Sequence, residues 1–219
     1  LEGVYGKLTA QQQDSLQRVR RSINVALALI EDLNDFARAE AGKVTLKITR
    51  VDVAQLTHTI GRQYDASAHA KGVALVMDVA ADLPPVETDA DRLRQVMSNL
   101  VSNGIKYTDS GSVCVRVRES PDPCGKTNDG IRFDVTDTGP GIPSSKQTVI
   151  FDEFSRLAST TQPGAGLGLP ISKLLAEMLG GSIIVDSEVG VGSTFSLWIP
   201  GQGVDHLQPQ HAVRAGPCL

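Results

Sequence analysis

Apolar residues at Leu16, Val19, Ile23, Ala26, Ile30, Leu33 and Ala37 recur at alternating spacings of three and four, the seam of a coiled coil or helical bundle. Thr9 and Gln12 supply a capping box ahead of it, Leu8 a staple, and Gly42 a C-terminal stop. Leu27, Leu29 and Phe36 widen the stripe, so the pattern predicts one long helix over 9–41 from a bundle of more than two helices. After Gly42 the period changes. Val44, Leu46 and Ile48 alternate with Thr45, Lys47 and Thr49, which predicts a strand over 43–53. Asp52 caps a helix running to about residue 70, and strands follow over 73–79 and 86–88. Residues 91–108, DRLRQVMSNLVSNGIKYT, make a helix whose apolar stripe is Leu93, Val96, Met97, Leu100, Val101 and Ile105. Strands 112–119 and 131–136, joined by PDPCGKTNDG, form an antiparallel hairpin. A helix over 168–180 and strands 182–186 and 193–199 around the turn SEVGVG complete the pattern.

Three parts result: a helical piece at 1–42, an α+β domain at 43–200, and a tail at 201–219 without periodicity, read as disordered.

Composition narrows the class. With 41% hydrophobic and 21% charged residues the chain is an ordinary globular one. The net charge of −4 and pI near 5.6 give no broad basic field for nucleic acid or a membrane surface. No run approaches the roughly 20 apolar residues that cross a bilayer, and the first residues carry no signal-peptide pattern. The expectation is a soluble, cytoplasmic piece of a parent that is itself soluble or membrane-anchored. Cys114, Cys124 and Cys218 form no CxxC or His-spaced cluster, which argues against a structural zinc and suits a reducing compartment.

The polar face of the helix over 91–108 is amide-rich: Asn99 and Asn103 are four residues apart, with Lys106 and Tyr107 one turn on. Amide oxygens are hard ligands for Mg²⁺, and amide NH₂ groups and lysine suit phosphate; a surface helix with two incidental asparagines fits the same face. Asp137 begins DTGPGI at the end of a strand. A carboxylate there accepts from an exocyclic amine such as adenine N6, and Gly139 and Gly141 leave the backbone open to a flat ring. A second glycine run, Gly164, Gly166 and Gly168 in TQPGAGLGLP, precedes a helix and is suited to phosphate and to a closing lid. It is neither a Walker A loop nor a dinucleotide fingerprint. Between the two lies FDEFSRL, where Phe151 and Phe154 anchor the segment and Arg156 is placed to reach phosphate.

NLVSNGIKYT, DTGPGI, FDEFSRL and GAGLGL, in this order and spacing, resemble the N, G1, F and G2 boxes of sensor histidine kinases, within the wider ATPase superfamily of gyrase, Hsp90 and MutL. The resemblance covers about residues 43–200, and the helix over 9–41 resembles the second helix of a dimerisation and histidine-phosphotransfer domain. The implied fold is a two-layer α/β sandwich of the Bergerat type, a mixed sheet with helices on one face. Carried over, the resemblance implies ATP and Mg²⁺ as cofactors and Asn103 as the metal ligand. Asn99 and Lys106 would contact phosphate or the metal shell, Tyr107 the nucleotide, and Asp137 adenine N6. Gly139, Gly141, Ile142, Phe154, Arg156 and Thr194 would join the nucleotide site, and Gly164, Gly166, Leu167 and Gly168 the lid. The family often has threonine where Ala165 stands.

ATP-hydrolysing relatives carry a glutamate four residues before the metal-binding asparagine. Asn99 stands there, so no carboxylate is placed to activate water, and transfer to a side chain is favoured over hydrolysis. The acceptor in such kinases lies in a His-Glu/Asp-x-x-x-Pro pattern, expected on a helix before Leu1. His58, His69, His206 and His211 do not match it, so the chain by itself is expected not to phosphorylate itself. The implied partners are a histidine-phosphotransfer helix, a response-regulator receiver domain and a second copy joined through the helix over 9–41. Two other readings are a nucleotide-binding regulatory module, of the anti-sigma-factor or degenerate-kinase kind, and a gyrase- or MutL-type ATPase. The long first helix opposes the anti-sigma reading, and the intact Asn103, Lys106, Asp137 and lid glycines oppose degeneracy.

Overall fold

The computed structural model describes residues 8–9, 11–13, 15–20, 23, 30, 45–123, 129–152 and 166–201. In chain order these hold β1 (Thr49–Val51), α1 (Val53–Lys71), β2 (Val73–Val79), β3 (Val86–Thr88), α2 (Ala90–Tyr107), β4 (Gly111–Ser120), β5 (Gly130–Asp137), the one-turn α3 (Ser144–Gln147), α4 (Gly168–Met178), β6 (Ser182–Glu188) and β7 (Gly192–Pro200). Five strands form a mixed sheet in the order β2-β4-β5-β7-β6, and β1 pairs separately with β3. Helix α2 carries the chain from β2 across to β4, which makes that pair parallel; every other neighbour in the sheet is antiparallel.

Alternation along the strands sends Val113, Val115 and Val117, Ile131, Phe133 and Val135, and Phe195, Leu197 and Ile199 into one core with α1, α2 and α4. All six residues of the expected stripe on α2 are buried in it. The opposite face of the sheet is mostly polar, with Val76 and Ile184 exposed on it. There Asp78 Oδ2 and Oδ1 accept from Arg116 Nε at 2.9 Å and Arg118 Nη2 at 2.5 Å, and hydrogen bonds from Arg118 and then Arg116 hold its carboxyl below the ordinary range. Helices therefore cover one face, as the two-layer expectation required.

Most element ends lie within two residues of the pattern, and Asp89 bears on two of those that differ. The strand expected over 43–53 is reduced to Thr49–Val51, because its partner β3 spans only Val86–Thr88. Ahead of it, Lys47 N–H leaves any ladder and donates to Asp89 Oδ2 at 2.8 Å. The other oxygen of Asp89 accepts from Asp91 N–H at 3.0 Å and Arg92 N–H at 3.1 Å, so α2 starts at Ala90 rather than at residue 91.

Of the helix expected over 9–41, residues 11–13, 15–20, 23 and 30 are helical. Its capping box is formed: Thr9 N–H donates to Gln12 Oε1 at 2.9 Å and Gln12 N–H to Thr9 Oγ1 at 3.3 Å. Leu16, Val19, Ile23 and Ile30 are exposed, from 44% to 64%. Residues 31–44, with the boundary expected there, and the tail 202–219 lie outside the described residues.

Asp89 is 5% exposed and accepts all three of these backbone donors. Asp89→Ala is expected to cost about 2–3 kcal/mol in urea unfolding, since it removes a cap and strands Lys47 N–H. A loss below about 0.5 kcal/mol, the size of a neutral surface change, would show that water replaces the carboxylate.

Candidate functional site

Asp137 ends β5, the middle strand of the sheet, and shares its row with Val113 on one side and Ser193 on the other. It is 8% exposed. Oδ1 accepts from Gly139 N–H at 2.9 Å. Burial pushes the Asp137 carboxyl above the ordinary carboxylate range, while hydrogen bonds from the Gly139 and Ser193 backbones pull it partly back. The surrounding walls are backbone. A Cβ on Gly139 would lie 2.8 Å from Asp137 Oδ1 and 3.1 Å from Tyr107 O, and one on Gly104 would lie 3.1 Å from Val113 Cγ1 and 3.8 Å from Asp137 Cβ. The glycines thus let the end of α2 lie directly against the Asp137 loop.

The polar face of α2 turns into the same place. Asn99 and Asn103 are half-buried, and Asn103 Nδ2 donates to Asn99 Oδ1 at 3.4 Å. Asn99 Nδ2 in turn donates to Ser172 Oγ on α4 at 2.8 Å. Lys106 Nζ stands 4.9 Å from the Tyr107 ring centroid, which fixes the two relative to each other. Lys71 closes the helix end: its ammonium donates to Ile105 O at 2.9 Å and Lys106 O at 2.5 Å.

From the glycine run, Gly166 has φ +74, Leu167 is buried at 3%, and Gly168 begins α4 against Asn99. Gly164, Phe154 and Arg156 lie outside the described residues. Gly141, at φ +71, packs on the backbone of Glu188, where a side chain would collide with Glu188 O. Ile142 is buried, and its N–H donates to Ser187 Oγ at 2.8 Å. Asn99, Asn103, Tyr107, Asp137, Gly139 and Gly168 thus converge around α2, with Gly141 and Ile142 anchoring the loop behind.

Thr194 does not join them. Its hydroxyl pairs with Thr136 at 3.0 Å on the open face of the sheet, because neighbouring strand residues point to opposite sides. The residue on the Asp137 row is Ser193, whose hydroxyl lies 2.9 Å from Ser187 Oγ. The alternation of Ser193 with Phe195, Leu197 and Ile199 was the available signal for it. Ser172, Gly104 and Lys71 also escaped the sequence reading for want of a local pattern, and Asp89 escaped it although an Asp just ahead of a helix is a capping signal. His58 and His69 are exposed on α1.

The arrangement offers a buried acceptor for a flat amine-bearing ring, then amides and a lysine one helix face away. Among the described residues no three His, Cys, Asp or Glu side chains gather as a metal cage. Asn103 nevertheless suits Mg²⁺: its amide nitrogen is committed to Asn99, leaving its oxygen as a hard ligand. Mg²⁺ completes such a shell with water and phosphate oxygens.

The sequence profile of the family described as "Histidine kinase-, DNA gyrase B-, and HSP90-like ATPase" matches residues 88–203. The chain is 33% identical, over 97% of its length, to the circadian input-output histidine kinase CikA of Synechococcus elongatus, of which it covers 28%. It is 35% identical, over 86% of its length, to the signal transduction histidine-protein kinase BarA of Escherichia coli K12, covering 21% of that protein. Among solved structures, full-length ShkA in complex with AMPPNP matches with a TM-score of 0.77 and 32% identity, across 91% of this chain and 41% of that one. The chain thus spans less than a third of the length of these two curated relatives.

The raised Asp137 carboxyl sets the sign of a pH effect. A carboxyl whose folded value exceeds its unfolded value, about 3.9 for Asp, favours folding below that unfolded value and loses the contribution as pH rises through the folded one. Asp137→Asn keeps an oxygen for the Gly139 and Ser193 backbones and carries no charge. Its Tm is therefore expected to exceed the parent's at pH 7 and to fall level with it near pH 4. A Tm difference flat across that range would show that burial does not penalise the carboxylate.

Proposed function

The chain belongs to the family of histidine kinase-, DNA gyrase B- and HSP90-like ATPases, and from that premise we propose that its α+β unit binds ATP with Mg²⁺ and passes the γ-phosphate to a histidine of a phosphotransfer helix. The observation that carries the reading is the close approach of α2 to the buried Asp137 at Gly104, with Asn103 and Asn99 joined on the same helix. Adenine N6 donating to Asp137 supplies the hydrogen bond that favours its charged form. Gly139 keeps the wall beside it flat, and Tyr107 and Ile142 border the ring. Lys106 offsets phosphate charge, and Gly164, Gly166, Leu167 and Gly168 close over the triphosphate, with Phe154 and Arg156 assigned to the same lid. Asn103 would hold Mg²⁺, which supplies neutralisation of the phosphate oxygens.

Transfer rather than hydrolysis is favoured by Asn99. It is neutral and its NH₂ is committed to Ser172, so the position a general base would occupy holds none. The acceptor imidazole attacks the γ-phosphorus in line, a P–N bond forms, the bond to the bridging oxygen breaks, and ADP leaves. What the chain contributes is alignment and charge neutralisation. None of its own four histidines sits in an acceptor pattern, so the acceptor is assigned to a phosphotransfer helix, in the same parent protein or a dimer mate, from which a response-regulator receiver domain draws the phosphoryl group. Among the described residues no helix is long and apolar enough to cross a membrane. An ATP consumer works where ATP is, and we place this unit in the cytoplasm. We assign the exposed Leu16, Val19, Ile23 and Ile30 stripe to a homodimer contact.

With γ-labelled ATP, acid-labile label is expected on an added phosphotransfer domain and none on this chain. Asn103→Ala and Asp137→Asn should each lower that transfer by about 10²-fold or more, the scale of losing a fixed electrostatic contact at a reacting centre. Label on this chain alone, or steady phosphate release without acceptor, would instead support self-phosphorylation or an ATPase. In light scattering the chain should self-associate with concentration, and Ile23→Glu should return it to monomer; a monomer at high concentration in the parent would remove the dimer assignment.

A further inference from the structure

Ser172 lies on α4 at 1% exposure and takes no part in the steps above. Its Oγ accepts from Asn99 Nδ2 at 2.8 Å, and Asn99 Oδ1 accepts from Asn103 Nδ2 at 3.4 Å. The three side chains are a directed relay. With Asn99 held this way round, Asn103 must offer its NH₂ to Asn99 and keep its oxygen for the cleft. Were Asn99 turned over, its NH₂ would meet the NH₂ of Asn103. Asn103 would then turn as well, presenting a donor that cannot ligate a cation.

A serine hydroxyl both donates and accepts, so the direction needs a second cause. Helix α4 starts at Gly168 after Leu167, with no side-chain cap, and its first N–H groups lack intrahelical partners. Gly168 packs so closely on Asn99 Oδ1 that a side chain there would collide with it. The positive end of α4 therefore lies beside Asn99 and favours its oxygen on that side, which leaves the NH₂ for Ser172.

We propose that Ser172 is a positioning residue for the nucleotide site: by fixing the amide of Asn99 it fixes that of Asn103, and so couples the seating of α4, behind the glycine run, to Mg²⁺ binding. The inference rests on the assignment of ATP and Mg²⁺ to this cleft. A residue that merely fills the core would alter stability or affinity without regard to the metal. The relay predicts an effect on affinity confined to the metal-dependent part.

The test is titration of a non-hydrolysable ATP analogue into the chain, once with Mg²⁺ and once with EDTA, alongside thermal unfolding. The parent should bind more tightly with Mg²⁺. In Ser172→Ala that gain should shrink about fivefold, the effect of one lost neutral hydrogen bond, with affinity in EDTA little changed and Tm lowered by about 2–4 °C. Ser172→Thr, which keeps the hydroxyl, should recover the gain, and Asn103→Ala should abolish it. A full Mg²⁺ gain in Ser172→Ala while Asn103→Ala loses it overturns the relay and leaves the site assignment standing. An equal loss in Mg²⁺ and EDTA assigns Ser172 to packing and also overturns it. A parent that binds no analogue, or binds it without a Mg²⁺ gain, overturns the site assignment and the relay together.

Discussion

A carboxyl buried at the end of the central strand costs solvation that the fold returns only in part. Asp137 accepts from the Gly139 and Ser193 backbones, and its affinity for a proton still rises. That residual demand leaves Asp137 suited to a ligand that brings a hydrogen-bond donor. It also dictates the surroundings. Side chains on Gly104, Gly139 or Gly192 would press on Val113, on the carboxyl, or on Asp137 O, so glycine is what lets these segments pack around Asp137.

Around that acceptor the fold's task is to hold α2 still. Asp89 fixes its first turn and ties it to the chain entering β1. Lys71, from the end of α1, fixes its last carbonyls. Between them the apolar stripe from Leu93 to Ile105 is buried against the sheet. With both ends and one face immobilised, the remaining face carries Asn99, Asn103 and Lys106 without freedom to rotate. Positioning of this kind is what phosphoryl transfer asks of a protein, since most of its catalysis is alignment and charge.

Helix α4 adds a part that spacing along the chain does not reveal. Ser172 and Gly168 meet Asn99 from 73 and 69 positions away in sequence. The glycine run therefore ends on a helix that touches the amide face of α2 through a side chain and its own N-terminus.

The sequence by itself determined the element types, because periods of two and near four are local consequences of strand and helix geometry. It also marked Asn103, Lys106, Asp137 and the two glycine clusters, since each sits in a short motif at a strand end or on one helix face. The bond from Lys47 to Asp89, the closure of α2 by Lys71, the placing of Ser193 rather than Thr194 on the Asp137 row, and the Ser172 contact were decided only by tertiary structure. Lys47 and Asp89 are 42 positions apart, and Asn99 and Ser172 are 73. Such partners meet because the strands run in the order β2-β4-β5-β7-β6 and one helix layer lies over them. Strand order and register are properties of the assembled sheet, and no local pattern encodes which backbone donors remain unpaired once it has formed.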